Sequence, residues 1–99
     1  MTTIAQISDT HLMDVDSGDV RAPKRIEWLR RCVQDINSLD SAPDAVIHTG
    51  DMSQHGSHAE YIIAREILAE LNMPLYVTPG NRDARTELRK VFSQDGYLP

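Results

Sequence analysis

Three short apolar runs, each followed at once by a cluster of polar residues, constrain the fold of this chain most strongly. The runs cover residues 4–8, 45–49 and 75–79, and the clusters are Asp9-Thr10-His11, Gly50-Asp51 and Gly80-Asn81-Arg82-Asp83. In an α/β protein, side chains at the carboxyl ends of parallel strands converge on one crevice. The pattern therefore predicts carboxylate, imidazole and carboxamide groups at one sheet edge, and all of these are ligands for a divalent metal.

Helical patterns separate the apolar runs. The first follows Pro23, which suits the first turn of a helix because the N–H that proline lacks is unpaired there anyway. Its apolar stripe consists of Ile26, Leu29, Val33 and Ile36, widened by Trp28, Cys32 and Leu39. A second helix is predicted after Ser57, because residues 57–60 match the capping box that ends in Glu60. A third helix is predicted over residues 85–92 and fades into residues 94–99.

This alternation of strand and helix predicts an α/β fold, in which three βα units form a parallel sheet with flanking helices. The predicted strands cover residues 2–8, 44–49 and 75–78, and right-handed crossovers should connect them. The chain has 99 residues. That length suits one domain, 1–99, because about 60–70% of the unfolded surface is buried at this size.

Composition excludes several classes of protein. The net charge of −5 argues against a partner that is a nucleic-acid polymer or an anionic membrane, since neither attracts a net-negative surface. The sequence has no apolar run near the about 20 residues that a membrane span needs, and it opens without a signal-peptide pattern. The lone Cys32 permits no internal disulfide, and we expect a buried reduced thiol there. A cytoplasmic setting is the default expectation.

Each polar cluster has a plain alternative when it is taken alone. Asp9 could cap a turn and His11 could lie on the surface, while Gly50-Asp51 is a common turn dipeptide. Asn81 could simply tolerate a left-handed backbone. Taken together, the clusters end three successive predicted strands. That coincidence favours a metal or phosphate site over scattered turn residues.

Asp9-x-His11, Gly50-Asp51 and Gly80-Asn81-Arg82-Asp83 resemble the first three motifs of the calcineurin-like metallophosphoesterase superfamily, which read D-x-H, G-D and G-N-H-[DE]. Residues 50–61 also resemble the G-D-[LIM]-x-x-x-G-x-x-x-E-Y stretch of its bacterial class III branch. That branch contains cyclic-nucleotide phosphodiesterases and glycerophosphodiesterases. The resemblance covers nearly the whole chain and implies the N-terminal half of a two-sheet sandwich. It also implies a metal-dependent enzyme that hydrolyses a small phosphodiester.

The resemblance also implies roles for single residues. Asp9 and His11 would bind one metal, Asp51 would bridge two, and Asn81 would bind the second. Two cations roughly 3.5–4 Å apart can clamp a phosphate and supply hydroxide for in-line attack. The mixed oxygen and nitrogen ligands suit Mn, Fe or Zn.

The third motif departs from the family pattern. Arg82 stands where relatives have a histidine that is thought to protonate the departing oxygen or hold the phosphate. A guanidinium with a pKa above about 12 cannot donate a proton near neutral pH, but it can hold a phosphoryl oxygen through forked hydrogen bonds. Arg82 is therefore predicted to be a phosphate clamp. Asp83, the second candidate catalytic residue, is expected to cap the turn or to pair with Arg82 or Arg85.

The sequence also lacks the further histidines that relatives supply downstream. Of the remaining histidines, His48 is expected in the core and His58 in solvent, while His55 is a minor candidate for a metal or substrate contact. The chain could therefore be part of a larger phosphodiesterase. It could also be a non-catalytic or truncated remnant that binds one metal or phosphate ligand or only dimerises, with a homodimer covering an open sheet face or edge. A plain nucleotide-binding module is disfavoured, because no glycine-rich phosphate loop follows any predicted strand.

Overall fold

Four parallel strands form one sheet in the computed structural model, which describes residues 2–80 and 83–93 and the backbone of 96–97. The strands are β1 (Ile4–Ile7), β2 (Ala45–His48), β3 (Leu75–Val77) and β4 (Gly96–Tyr97). The helices are α1 (Ala22–Asn37), α2 (His58–Leu68) and α3 (Arg85–Phe92), and a 3-10 turn covers Val15–Ser17. The strands lie in sequence order, and each neighbouring pair is parallel.

The predicted α/β fold is confirmed, with one strand more than the sequence indicated. Gly96–Tyr97 pairs with Tyr76 and Val77 of β3, although its residues carry no apolar run that would mark a strand. A two-residue strand is defined by its partner, so periodicity within the chain could not reveal it. The third helix covers the predicted residues 85–92.

The helices lie on one face of the sheet. Strands in sequence order with right-handed crossovers place every connecting helix on the same side, and α2 contacts both α1 and α3. Ile7, Val46 and Val77 are buried on this side. On the opposite face, Ile4 is 61% exposed and Tyr76 is 41% exposed. None of the described helices covers that face.

The core lies between the sheet and the helices. Its helical members are Leu29, Val33 and Ile36 of α1, Tyr61, Ala64, Ile67 and Leu68 of α2, and Leu88, Val91 and Phe92 of α3. Trp28 and Leu39, predicted in the α1 stripe, are instead 58% and 53% exposed. Cys32 is half-buried rather than buried as expected, and its partial burial raises the pKa of the thiol. In the part of the chain that the structure describes, no helix is long and apolar enough to cross a bilayer.

Candidate metal centre

Two loops leave the carboxyl ends of β1 and β2 side by side. The backbone nitrogens of Asp9, His11 and Leu12 donate to the carbonyl oxygens of Gly50 at 3.0 Å, Asp51 at 3.0 Å and Met52 at 2.8 Å, in that order. An isolated parallel bridge joins Leu12 to Ser53. The pairing of β1 with β2 therefore continues past the sheet, and it holds the first two polar clusters next to each other.

Asp9, His11 and Asp51 come together at this edge. Each offers one ligand atom, and these atoms all lie within 4.8 Å of one another. The His11 Nε2 atom is 3.7 Å from Asp9 Oδ1. Two carboxylates and an imidazole form a donor set that divalent Mn, Fe or Zn can use.

The same three residues have an unusual backbone. Asp9, His11 and Asp51 have φ angles of 57°, 45° and 52°, and they are the non-glycine residues of the described ranges with positive φ. For residues that carry a Cβ this left-handed region costs free energy, and such strain clusters at ligand sites because the surrounding structure must impose it. The strain and the donor atoms coincide residue for residue.

The His11 ring also has an unpaired atom. Its Nδ1 is buried and finds no hydrogen-bond partner in the described part of the chain. A buried polar atom without a partner costs about 1–3 kcal/mol. The donor set and the unpartnered Nδ1 atom are both consistent with His11 as a ligand of a bound ion.

Two glycines bring the loop that follows β3 (the third loop) against the loop that follows β2 (the second loop). A Cβ on Gly50, whose φ is 122°, would lie 2.6 Å from the Gly80 Cα. A Cβ on Gly80 would lie 2.6 Å from Asp51 Oδ1 and would also overlap the Asp51 nitrogen. Only glycine at both positions permits this approach, which places the start of the third cluster directly beside Asp51. Asn81 and Arg82, predicted as ligand and phosphate clamp, lie outside the described residues.

Asp83 ties the third loop to the second. Its carboxylate accepts the backbone N–H groups of Met52 at 3.1 Å, Ser53 at 3.2 Å and Gly80 at 2.9 Å. The Tyr61 hydroxyl donates to it at 3.0 Å. Burial and the neighbouring Asp83 charge raise the pKa of Tyr61, so this hydroxyl keeps its proton. The Asp83 carboxylate therefore joins the backbone of the second loop to that of the third.

His48 contacts both paired loops through its ring nitrogens. Its predicted place in the core is confirmed. Its side chain is fully buried, with Nδ1 accepting from the Gly50 nitrogen at 3.2 Å. Its Nε2 lies 3.1 Å from the Thr10 hydroxyl, which itself donates to the Met52 oxygen at 3.0 Å. Nε2 must therefore carry the ring proton. Burial lowers the pKa of His48 to about 4, so the ring is neutral at physiological pH.

The other two histidines follow Asp51 in the chain, His55 before α2 and His58 at its first residue. His58 is at the start of α2 with a side chain 62% exposed, which confirms its predicted place in solvent. His55 is 58% exposed, and its Nδ1 lies 2.8 Å from Glu60 Oε2. His55 does not belong to the group of three candidate ligands found among the described residues.

Sequence reasoning missed Arg25. Its Nη1 donates to the His11 carbonyl at 3.1 Å and lies 3.3 Å from Gln54 Oε1, so α1 holds both paired loops. A cleft of about 310 Å³ borders Asp9 and His11 beside Arg25 and Trp28. The only sequence signal was a cation on the buried side of a predicted helix, and it does not indicate a particular partner.

Comparison with known proteins agrees with this geometry. The family model described as calcineurin-like phosphoesterase matches residues 2–99. A probable glycerophosphodiester phosphodiesterase of Arcobacter nitrofigilis is 34% identical over 91 residues, which is 92% of this chain and 33% of that protein. A cAMP/cGMP dual specificity phosphodiesterase of Mycobacterium tuberculosis is 34% identical over 91 residues, covering 88% of this chain and 29% of that protein. A 3',5'-cyclic adenosine monophosphate phosphodiesterase of Vibrio vulnificus is 30% identical over 89 residues, covering 90% and 32%.

The chain spans about a third of the length of the curated relatives that it matches. The family match, in contrast, extends over nearly all of its residues. The motif order, the parallel sheet and the grouped side chains all agree with that match. This chain belongs to the calcineurin-like phosphoesterase family.

Proposed function

We propose that this chain supplies part of the metal centre of a phosphodiesterase that hydrolyses a small phosphodiester, such as a cyclic nucleotide or a glycerophosphodiester. The observation that carries the proposal is the convergence of Asp9, His11 and Asp51 on strained backbone at the sheet edge. The printed names of the similar proteins include both substrate classes. They support a phosphodiesterase without choosing between the two classes.

In this proposal Asp9 and His11 would hold one divalent ion, Asp51 would be shared with a second, and Asn81 would be a ligand of the second. The ions would be Mn, Fe or Zn. A divalent ion supplies Lewis acidity and a nucleophile that is available at neutral pH. The contribution of this chain is to fix the donor atoms, because the paired loops and the glycine contact leave Asp51 little freedom to move.

Arg82 is proposed to hold a phosphoryl oxygen of the substrate. A guanidinium remains charged throughout the working pH range and binds phosphate in a forked geometry. Asp83 is proposed to act through the backbone rather than on the substrate. Its hydrogen bonds to Met52, Ser53 and Gly80 support this function.

A second candidate function is binding of one metal ion or a phosphate ligand without turnover. The described residues bring together one cluster of three candidate ligands, which favours it. Arg82, where the family pattern has histidine, points in the same direction.

Metal analysis combined with turnover of bis(p-nitrophenyl) phosphate separates the two functions. The phosphodiesterase proposal expects metal-dependent turnover that Asp51→Asn abolishes while the circular dichroism spectrum is unchanged. Binding of one ion without turnover supports the second function. Absence of both metal binding and turnover contradicts the phosphodiesterase and the binding of a metal ion. Turnover that persists in a folded Asp51→Asn protein contradicts the role of the bridging carboxylate.

We further propose a homodimer in a cytoplasmic setting. The sheet face that carries Ile4 and Tyr76 has no described helix over it. Apolar surface of this kind favours association. A second copy of the chain could cover it through the same residues.

A further inference from the structure

Glu60 does more than cap a helix. It completes the predicted capping box of α2, since Ser57 Oγ accepts from the Glu60 nitrogen at 3.2 Å and Glu60 Oε1 accepts from the Ser57 nitrogen at 3.4 Å. The same Oε1 accepts the His55 N–H at 3.0 Å and the Ser53 hydroxyl. Glu60 is 2% exposed. The carboxylate is therefore buried beneath the loop that begins at Asp51.

Ser53 lies between two acidic side chains. Its backbone nitrogen donates to Asp83 and its hydroxyl donates to Glu60, while the Gly56 nitrogen donates to that hydroxyl at 2.7 Å. Ser53 is fully buried. The segment after Asp51 is thus held by hydrogen bonds to two carboxylates, that of Asp83 in the third loop and that of Glu60 in α2.

The charge on Glu60 is compensated locally. Burial by itself would raise the pKa of Glu60, but the hydrogen bonds from Ser53, His55 and Ser57 outweigh burial and leave the pKa below its ordinary value. An ionised acceptor makes stronger hydrogen bonds than a neutral one. Glutamine, which is neutral and has the same shape, would keep the packing and weaken the hydrogen bonds that hold the loop.

We propose that Glu60, acting through Ser53, is a positioning residue for the metal centre: it holds the Asp51 loop so that Asp51 keeps its left-handed backbone and its carboxylate stays near Asp9 and His11. Such a backbone persists only where the surroundings impose it. On the amino-terminal side of Asp51 the Gly50–Gly80 contact does so. On the carboxyl-terminal side the Ser53 hydrogen bonds do so. This inference rests on the metal site proposed above.

The test is Mn²⁺ affinity of the full chain, measured by electron paramagnetic resonance for the wild type, Glu60→Gln and Ser53→Ala. Each variant is expected to bind about tenfold more weakly or worse, because residues that orient metal ligands typically contribute about 10–100-fold to affinity. Glu87→Gln is the matched control. It makes the same change in a glutamate that contacts a histidine, since Glu87 Oε2 lies 3.3 Å from His58 Nδ1, away from the loop. It should keep wild-type affinity.

A second control separates positioning from loss of stability. Val91→Ala removes buried methyl groups in α3, so it lowers global stability without touching the loop. It should retain wild-type affinity wherever the protein is folded. Amide hydrogen exchange gives a readout without metal: in Glu60→Gln the His55 and Gly56 amides should exchange faster relative to the strand amides, and in Val91→Ala this ratio should not change.

The outcomes are distinguishable. If the wild type binds Mn²⁺ while Glu60→Gln and Ser53→Ala bind it equally well, the positioning inference is overturned and the metal site stands. If the wild type binds no metal, the metal site and this inference both fail. Ser53→Ala decides the question if Glu60→Gln does not fold.

Discussion

At the level of single residues, hydrogen bonds between two loops support the unusual backbone of the metal site. Asp9, His11 and Asp51 have positive φ angles. The backbone nitrogens of Asp9 and His11 donate to carbonyl oxygens of residues about 40 positions away in the sequence. The polar clusters identified the three residues from the sequence, but these angles could not be predicted, because glycine is the main sequence signal for a left-handed backbone.

His48 provides a prediction for pH dependence. Its pKa is lowered from 6.5 to about 4 by burial. Between these values the unfolded chain binds a proton at this residue and the folded chain does not, so the free energy of unfolding falls as the pH drops. The loss should approach about 3 kcal/mol by pH 4. An NMR titration of the His48 ring should show a midpoint near 4, and a midpoint near 6.5 would contradict its burial.

Asp83→Asn tests the hydrogen bonds that join the third loop to the second. The amide keeps one acceptor oxygen but turns an NH₂ group toward backbone N–H donors. We expect a loss of about 1–3 kcal/mol in the free energy of unfolding, measured with urea. Asp40→Asn, at an exposed position, should leave stability within about 0.5 kcal/mol of wild type. Equal stability of the two variants would rule out the proposed function of Asp83.

At the level of elements, the helices could be predicted from local sequence patterns. The last strand and the pairing of the loops could not, because they depend on contacts between distant parts of the chain. The apolar spacing in α1 and the capping box at Ser57 were sufficient to predict the first two helices, and the third helix covers the residues predicted for it. The contacts that Glu60 makes with Ser53 and His55 were not predictable, because the capping box accounts for this glutamate fully without them. β4 and the loop pairing past the sheet arise from tertiary contacts.

Gly80→Ala tests the close approach of the loops. The new Cβ would overlap the backbone nitrogen and the carboxylate of Asp51, so the loops must separate and Mn²⁺ affinity should fall at least about tenfold. Gly18→Ala is the control, because its φ of 79° makes alanine strained but its Cβ would meet nothing within 4 Å. That variant should lose about 1 kcal/mol of stability and keep its affinity. Unaltered affinity in Gly80→Ala would show that the approach is not needed.

At the level of the whole molecule, the two faces of the sheet differ in whether the described helices cover them. Strand order and crossover handedness together place the helices on one face. The predicted parallel sheet implied such a face, but the sequence could not tell which residues lie on it until the register was known. Ile4, Ile47 and Tyr76 lie on this face and alternate with half-buried or buried neighbours along the first three strands.

Association of the chain should depend on this face. We expect sedimentation equilibrium to show a dimer for the wild type and a monomer for Tyr76→Lys, because a charge placed in an apolar contact must lose its hydration. Val20→Lys is the control, since Val20 is 91% exposed in a loop and its replacement should leave the dimer intact. A monomeric wild type, or a dimer that survives Tyr76→Lys, would contradict this arrangement.

The central claim is that Asp9, His11 and Asp51 hold a divalent ion. The most direct measurement is isothermal titration calorimetry of Mn²⁺ binding to the wild-type chain and to Asp51→Asn. Asp40→Asn is the control. We predict that the wild type and Asp40→Asn bind Mn²⁺ with equal affinity, because Asp40 does not belong to the group of candidate ligands. Asp51→Asn should bind at least about tenfold more weakly, since the amide lacks the charge of the carboxylate. Absence of binding by the wild type, or equal affinity in folded Asp51→Asn, would contradict the claim.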